Sequence, residues 1–301
     1  MPDATARAVS TAYRVASVAA QRLPAQLGRP VAFVLGKVAP FAMPAARRQV
    51  VRHQQRAARG GHVAPAGAVF DSYARYWYEL FRLPADVRAG IVADHFTVEG
   101  LEHLEQPLAD GRGVVIALPH LGGWEWAAAW FAGRGHRPFA VVEPVEPPEL
   151  FAWFARQRAE IGIDIVPLGE GVASEVLRAV RANRVVCLLS DRDLTGDGVE
   201  VEFFGERTTL PAGPATVALR TGAPLVPVAV YFRPGRGHHA VIRAPLDTQR
   251  QGRLRDDIAR ITQAMATTFE ELIRAAPEQW HLLQPNWPSD RADAPSPAEE
   301  P

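Results

Sequence analysis

Two residue types are almost missing from this 301-residue chain: it has one cysteine, Cys187, and one lysine, Lys37. A single thiol excludes an internal disulfide framework and any cysteine-rich zinc site. Cys187 lies in the apolar run "RVVCLLS" and reads as a small buried hydrophobe, not as a nucleophile. Long apolar runs are missing too. No stretch reaches the roughly 18 consecutive apolar residues that a spanning helix needs, and "VAFVLGKVAPFAM" is broken by Lys37 and Pro40. The start "MPDATARAVS" has no charged region leading into an apolar core, so no secretory signal is expected. There is no G-x-S-x-G nucleophile elbow, H-E-x-x-H zinc helix, P-loop or dinucleotide-type glycine fingerprint.

Acidic residues are scarce in one region only. The first 60 residues hold ten basic side chains against Asp3, which leaves 23 basic and 32 acidic beyond them. A basic N-terminal part on an otherwise acidic protein suggests an anionic surface as partner, and arginine in place of lysine suits bidentate phosphate binding. The expectation is a peripheral protein on the cytoplasmic face of a membrane, with no nucleic-acid partner.

What is abundant is apolar sequence, 48% of the chain, enough for one large core or two unequal lobes. "AYRVASVAAQRL" and "FDSYARYWYELFRLP" have helical spacing, so residues 1–100 read as a basic helical region that lies on the membrane. From residue 113 strands and helices alternate: "GVVIALP", "WEWAAAWFAG", "PFAVVE", "PPELFAWFARQRAEIG", "IDIVPL", "VASEVLRAVRAN", "RVVCLLS", "VEVEFFG", "GPATVALRTG" and "PLVPVAVYF". "HAVIRAPL" adds an edge strand, and the segment from Leu254 to Pro277 a long amphipathic helix. Apolar strands separated by helices predict an α/β fold with a mainly parallel central sheet, spanning residues 101–287. The polar, proline-rich stretch 288–301 is expected to be disordered.

In such a sheet, ligands bind at the carboxyl ends of the strands. "LPHLGGWEWA" puts His120 there, with Gly122 and Gly123 for a tight turn and Glu125 in a first helical turn, where a carboxylate is favoured and can accept backbone N–H bonds. "CLLSDRDLTGDG" puts Asp191, Arg192 and Asp193 at the same edge. If the two strands are near neighbours, Asp191 can reach the imidazole and make His120 a general base. Otherwise Asp191 caps its loop and Arg192 pairs with Asp193 at the surface. "GHH" at 237–239 could bind a metal, but a strand follows and no nearby carboxylate partner is expected. With no serine or cysteine nucleophile, direct attack by an acceptor hydroxyl is expected.

His-x4-Asp/Glu is the signature of glycerophospholipid-type acyltransferases. Together with "SYARYWYELFRLP", "DRDLTGDGVEVEFFGE", "LPAGPATVALRTGAPLVPV" and "WHLLQPNW", the chain resembles the actinobacterial phosphatidylinositol mannoside acyltransferases, relatives of the lipid A late acyltransferases, from about Ser72 to Trp287. The resemblance implies a glycerol-3-phosphate acyltransferase-like fold and transfer of a fatty acyl group, typically palmitoyl, from acyl-CoA to a mannose hydroxyl of the glycolipid, with no metal or other cofactor. It implies His120 as general base with Glu125 and Asp191 as its acidic partners. It also implies Arg158 and Arg220 at the acyl-CoA site, and Glu143, Trp124, Arg192 and Asp193 toward the acceptor. The chain departs from the family in having Glu125 where aspartate is usual and Asp191 where glutamate is usual. Asp191 is expected to hold the imidazole and Glu125 to support the loop and helix start. A thioesterase, an acyltransferase for another glycolipid or a lysophospholipid, and a non-enzymatic lipid-binding protein are the alternatives.

Overall fold

The structure is a computed structural model and describes residues 4–292. Four helices come first: α1 (Ala4–Arg22), α2 (Ala25–Ala42), α3 (Pro44–Ala58) and α4 (Ala66–Arg88). α2 is amphipathic in an inverted sense. It buries its small residues, Gly28, Ala32 and Gly36, spaced one turn apart, with Pro40 completing the row. A Cβ on Gly36 would lie 2.9 Å from the backbone of Asp71, so α2 and α4 pack closer than side chains allow. The large apolar residues Leu27, Val31, Val34, Leu35, Val38 and Phe41 are left exposed, Phe41 by 81%.

The remaining elements are β1 (Phe96–Glu99), α5 (Glu102–Ala109), β2 (Val114–Leu118), α6 (Trp124–Gly133), β3 (Phe139–Val142), α7 (Pro148–Glu160), β4 (Asp164–Pro167), α8 (Val172–Arg181), β5 (Val185–Leu189), β6 (Val199–Phe203), β7 (Glu206–Leu210), α9 (Gly213–Thr221), β8 (Leu225–Phe232), β9 (His238–Ile242), α10 (Leu254–Arg274) and α11 (Pro288–Ala292). Seven strands form one sheet in the order β1-β9-β8-β2-β5-β3-β4, and β6 and β7 form a separate antiparallel hairpin. Every neighbouring pair in the large sheet is parallel except β8 with β9. The α/β fold with a mainly parallel sheet flanked by helices is therefore the one expected.

Strands β2 and β8 are buried at every position, which is why they read as unbroken apolar runs. One face of the sheet packs on α8, α9 and α10, where Ile261, Met265 and Phe269 are fully buried. The other packs on α5 and α6 through Leu104, Trp126 and Phe131. The aromatics of α4 fill the space between layers: Trp77 packs edge-on to Tyr13 of α1 and against Phe154 of α7.

Three boundaries differ from the sequence reading. β1 falls inside the stretch taken as helical, because four residues of alternating exposure carry little apolar signal. β1 pairs with β9, so β9 is an inner strand and not the edge. The polar stretch from Pro288 begins with a helix, in which Asp290 is buried and paired with Arg56 at 2.8 Å. The rest of that stretch, 293–301, lies outside the described residues. No helix among the described residues is long and apolar enough to cross a membrane.

Candidate active site

β2 and β5 are parallel and in register, with Leu118 opposite Leu189. Two residues beyond that pair, each chain leaves the sheet at the same level, and the residues there are His120 and Asp191. Register alone thus brings together two side chains that are 71 positions apart. Nδ1 of His120 lies 2.6 Å from Oδ1 of Asp191. A carboxylate only accepts, so Nδ1 carries the proton and Nε2 is left as the free base.

Asp191 is fully buried and firmly held. Its Oδ2 accepts the backbone N–H of His120 at 3.1 Å and the indole N–H of Trp280 at 2.8 Å, while Asn286 donates to its carbonyl at 3.0 Å. Burial works against the charged carboxylate, but His120 and Trp280 outweigh it and hold the Asp191 pKa below its usual value. For His120, burial works against the imidazolium and Asp191 outweighs it, so the pKa is raised above the ordinary histidine value. The His120 side chain keeps 36% of its surface open to solvent.

The turn after His120 is fixed by backbone contacts. Gly122 has φ +61°, donates to the carbonyl of Gln279 at 3.0 Å and pairs with Val230 of β8. A Cβ on Gly122 would overlap the Val230 carbonyl oxygen. The backbone N–H of His281 donates to the carbonyl of His120 at 2.7 Å. The His281 ring lies beside Tyr73, Tyr76 and Phe232, with Nε2 2.8 Å from the Ser72 hydroxyl. Burial, reinforced by nearby His120, pushes the His281 pKa down to about 3. It stays neutral, so no second positive charge competes with the His120 imidazolium.

Glu125 does not hydrogen-bond to His120. Its Oε1 accepts from Tyr76 at 2.8 Å and from Arg158 at 3.0 Å, which ties the first turn of α6 to α4 and α7. The residue at the cap position of α6 is Gly123, which has no side chain to offer, and the Glu125 carboxylate also meets its own backbone N–H at the start of the helix. Burial raises the Glu125 pKa, with Arg158 and Tyr76 opposing it. Arg158, expected at the donor site, is largely buried against Glu125, and its guanidinium also lies near the rings of Trp124 and Phe154. Trp124 is buried.

The other expected residues fall into three groups. Glu143, after β3, is exposed and faces Arg192, Nη1 to Oε2 being 3.7 Å, so these two meet beyond the carboxyl ends of β3 and β5. Asp193 is spent on its own loop, accepting from the N–H groups of Thr195, Gly196 and Gly198 and from the Thr209 hydroxyl. Arg220 is exposed in the last turn of α9, which leads into the start of β8, at the opposite end of the strands from His120. In "GHH", a carboxylate does lie beside His238, contrary to the sequence reading: Glu79 of α4 meets Nε2 at 2.8 Å, and Trp126 stacks on the ring. Below the His120 turn, a narrow apolar cavity runs between the sheet and α5–α6, lined by Ile116, Leu118, Trp124, Ala128, Cys187 and Val228.

Tyr76, Trp280, His281 and Asn286 were assigned no role from sequence. The only signal for the last three was the segment "WHLLQPNW", which carried resemblance without chemistry.

With this geometry in place, comparison with known proteins gives the class. Residues 66–289 match the profile of the bacterial lipid A biosynthesis acyltransferases, and the chain belongs to that family. It is an acyltransferase. More particularly, it is 42% identical over 231 residues to the phosphatidylinositol mannoside acyltransferase of Mycobacterium tuberculosis, covering 75% of this chain and 71% of that protein. It is also 42% identical over 226 residues to the Mycolicibacterium smegmatis protein of the same name, covering 74% and 72%. The lipid A biosynthesis acyltransferase of Haemophilus influenzae is 26% identical over 185 residues, covering 60% and 55%.

Proposed function

We propose that this chain transfers a long-chain fatty acyl group, palmitoyl in the first instance, from acyl-CoA to a mannose hydroxyl of a phosphatidylinositol mannoside at the cytoplasmic face of the plasma membrane. The observation that carries the chemistry is the 2.6 Å pairing of His120 with Asp191. Nε2 of His120 takes the proton of the mannose hydroxyl as its oxygen attacks the thioester carbonyl. Asp191 stabilises the imidazolium that forms. The C–O bond is made, the C–S bond breaks, and the CoA thiolate takes the proton back from Nε2. Backbone N–H groups at the uncapped start of α6 are suited to the oxyanion. The apolar cavity beneath the His120 turn is suited to the acyl chain.

Two observations favour direct attack over a covalent acyl-enzyme. The Cys187 thiol is pushed up to about 12 by burial, and Ser190 is fully buried with its hydroxyl on the Leu188 carbonyl. The acceptor class follows the two mycobacterial relatives, whose names state it. The exposed apolar face of α2 and the basic N-terminal helices support seating on an anionic membrane. Glu125 and Arg158 act as positioning residues, and Arg192 with Glu143 borders the open edge.

The test uses palmitoyl-CoA with vesicles containing phosphatidylinositol mannoside. Acylated lipid forms with wild-type protein, and His120→Ala loses transfer while still unfolding in one cooperative step in urea, at a lower midpoint because buried Asp191 loses its imidazole partner. Near-wild-type transfer by His120→Ala overturns the assignment of the base. CoA release at full rate without lipid identifies a thioesterase instead.

A further inference from the structure

On the β8 side of His120, away from Glu143 and Arg192, an open cleft of about 770 Å³ lies between α2, α4 and the turn joining β8 to β9. Arg29 from α2, Arg75 from α4 and Arg233 from the turn bring three guanidinium groups to its wall, against the carboxylates of Asp71 and Glu278. Asp71 is matched by Lys37, and Arg75 by Glu79. Arg29 donates to the backbone carbonyl of Gly235, and neither it nor the exposed Arg233 has a carboxylate partner among the described residues. Among the described residues the cleft therefore keeps two guanidinium groups without a carboxylate partner, Arg29 and Arg233, against one unmatched carboxylate, Glu278.

Two further features say what kind of molecule fits. Ser72 lines the cleft and its hydroxyl meets Nε2 of His281, whose N–H holds the carbonyl of His120. The wall is thus one side chain removed from the catalytic pair. Outside, the same α2 that supplies Arg29 exposes Leu27, Val31 and Val34. Anionic recognition and an apolar flank meet on one helix, as an amphiphile requires.

We infer that this cleft binds the phosphodiester of the anionic glycerophospholipid acceptor, between Arg29 and Arg233, while the lipid's acyl tails remain in the bilayer along α2. The inference rests on the acceptor class proposed above. Palmitoyl-CoA is an anionic amphiphile too, but its one acyl chain is placed in the cavity beneath His120 and makes no call on the flank of α2. The polar groups on the other side of His120 are engaged already, Glu143 with Arg192 and Asp193 with its own loop.

The experiment compares two acceptors, phosphatidylinositol mannoside in vesicles and phosphate-free octyl mannoside, with palmitoyl-CoA as donor. Arg29→Gln and Arg233→Gln each lower the kcat/KM ratio of the first acceptor to the second by about tenfold, the worth of one charge-assisted hydrogen bond. Arg233→Lys, which keeps the charge, restores part of it. A tenfold rise in KM for palmitoyl-CoA with an unchanged acceptor ratio assigns the cleft to the donor and overturns the proposal. So does a ratio that moves in none of the variants. Binding of dihexanoyl phosphatidylinositol below its micellar concentration separates this inference from the functional reading. Affinity about tenfold lower in each variant sustains the cleft even if wild-type protein acylates neither acceptor. Equal binding to wild type and the double variant overturns it.

Discussion

The indole N–H of Trp280 donates to Oδ2 of Asp191 at 2.8 Å, on the oxygen that His120 Nδ1 does not use. Trp280 is itself fully buried, between the rings of His53 and Phe204. With the backbone N–H of His120, which meets the same oxygen at 3.1 Å, it fixes the rotation of the carboxylate and draws charge away from it. Trp280→Phe keeps most of the ring and removes the donor. Acyl transfer is expected to fall about tenfold, as for loss of one hydrogen bond to a charged group. The carboxylate, with one donor fewer, becomes more basic and holds the imidazolium more tightly, so the acid limb of the pH–rate profile moves to higher pH. A purely structural residue would leave that limb in place.

His120 must be neutral at Nε2 to act as base, and Asp191 raises its pKa. Transfer should therefore rise with pH through a value above the ordinary histidine pKa of about 6.5. Asp191→Asn removes the raising charge and leaves the burial that lowers the pKa. The acid limb then moves to lower pH, while the rate falls by about a hundredfold or more through loss of imidazolium stabilisation. Both are read from kcat/KM between pH 5 and 9.

Much of this pair was legible in sequence, for a physical reason. "GVVIALP" and "RVVCLLS" are apolar throughout because both faces of β2 and β5 are covered, and His120 and Asp191 each follow at the same offset. The partners of Glu125 were not legible. Tyr76 and Arg158 come from helices 49 and 33 positions away, and nothing in the periodicity of α4 or α7 marks an inward polar tip. Trp280 and His281 were hidden for a similar reason: their segment folds back on the His120 turn through single backbone contacts, without a strand or helix pattern. The place of Arg220 was not legible either: the direction of α9 carries it to the end of the sheet opposite His120.

Arg158 is the counter-charge of a buried carboxylate. Arg158→Met fills the space but leaves Glu125 with only the neutral Tyr76 hydroxyl against burial, at a cost of about 3–5 kcal/mol as for other broken buried pairs. Glu125 then takes up a proton on folding, so the stability loss shrinks as pH falls. Urea denaturation at two pH values tests both parts. Tyr76→Phe, which removes one neutral donor, costs about 1 kcal/mol.

The turn after His120 tolerates no side chain at Gly122. Gly122→Ala forces a Cβ onto the Val230 carbonyl at a backbone φ of +61°. The turn has to move, and with it His120. Transfer is expected to fall by about a hundredfold, as for small displacements of reacting groups. Alanine at Gly111, where a Cβ meets nothing within 4 Å, supplies the comparison: strained backbone without displacement of the site.

The exposed face of α2 offers a test that touches no core contact. Val34→Asp with Phe41→Asp places two charges on residues that are more than half exposed. Stability in urea should stay within about 0.5 kcal/mol, as for surface changes generally. Sedimentation with anionic vesicles should fall by about tenfold or more, because two apolar anchors are lost and two like charges face the lipid.

The inverted packing of α2 also fixes how this protein behaves away from a bilayer. Gly28 and Gly36 lock the helix against α4, so its large apolar side chains cannot rotate inward to escape water. A surface that rigid has only two remedies in aqueous buffer: a coat of amphiphile, or another molecule presenting the same face. The oligomeric state of the detergent-free protein should therefore rise with concentration and collapse to monomer when micelles are supplied, a solvent effect that says nothing about the assembly that works on the membrane.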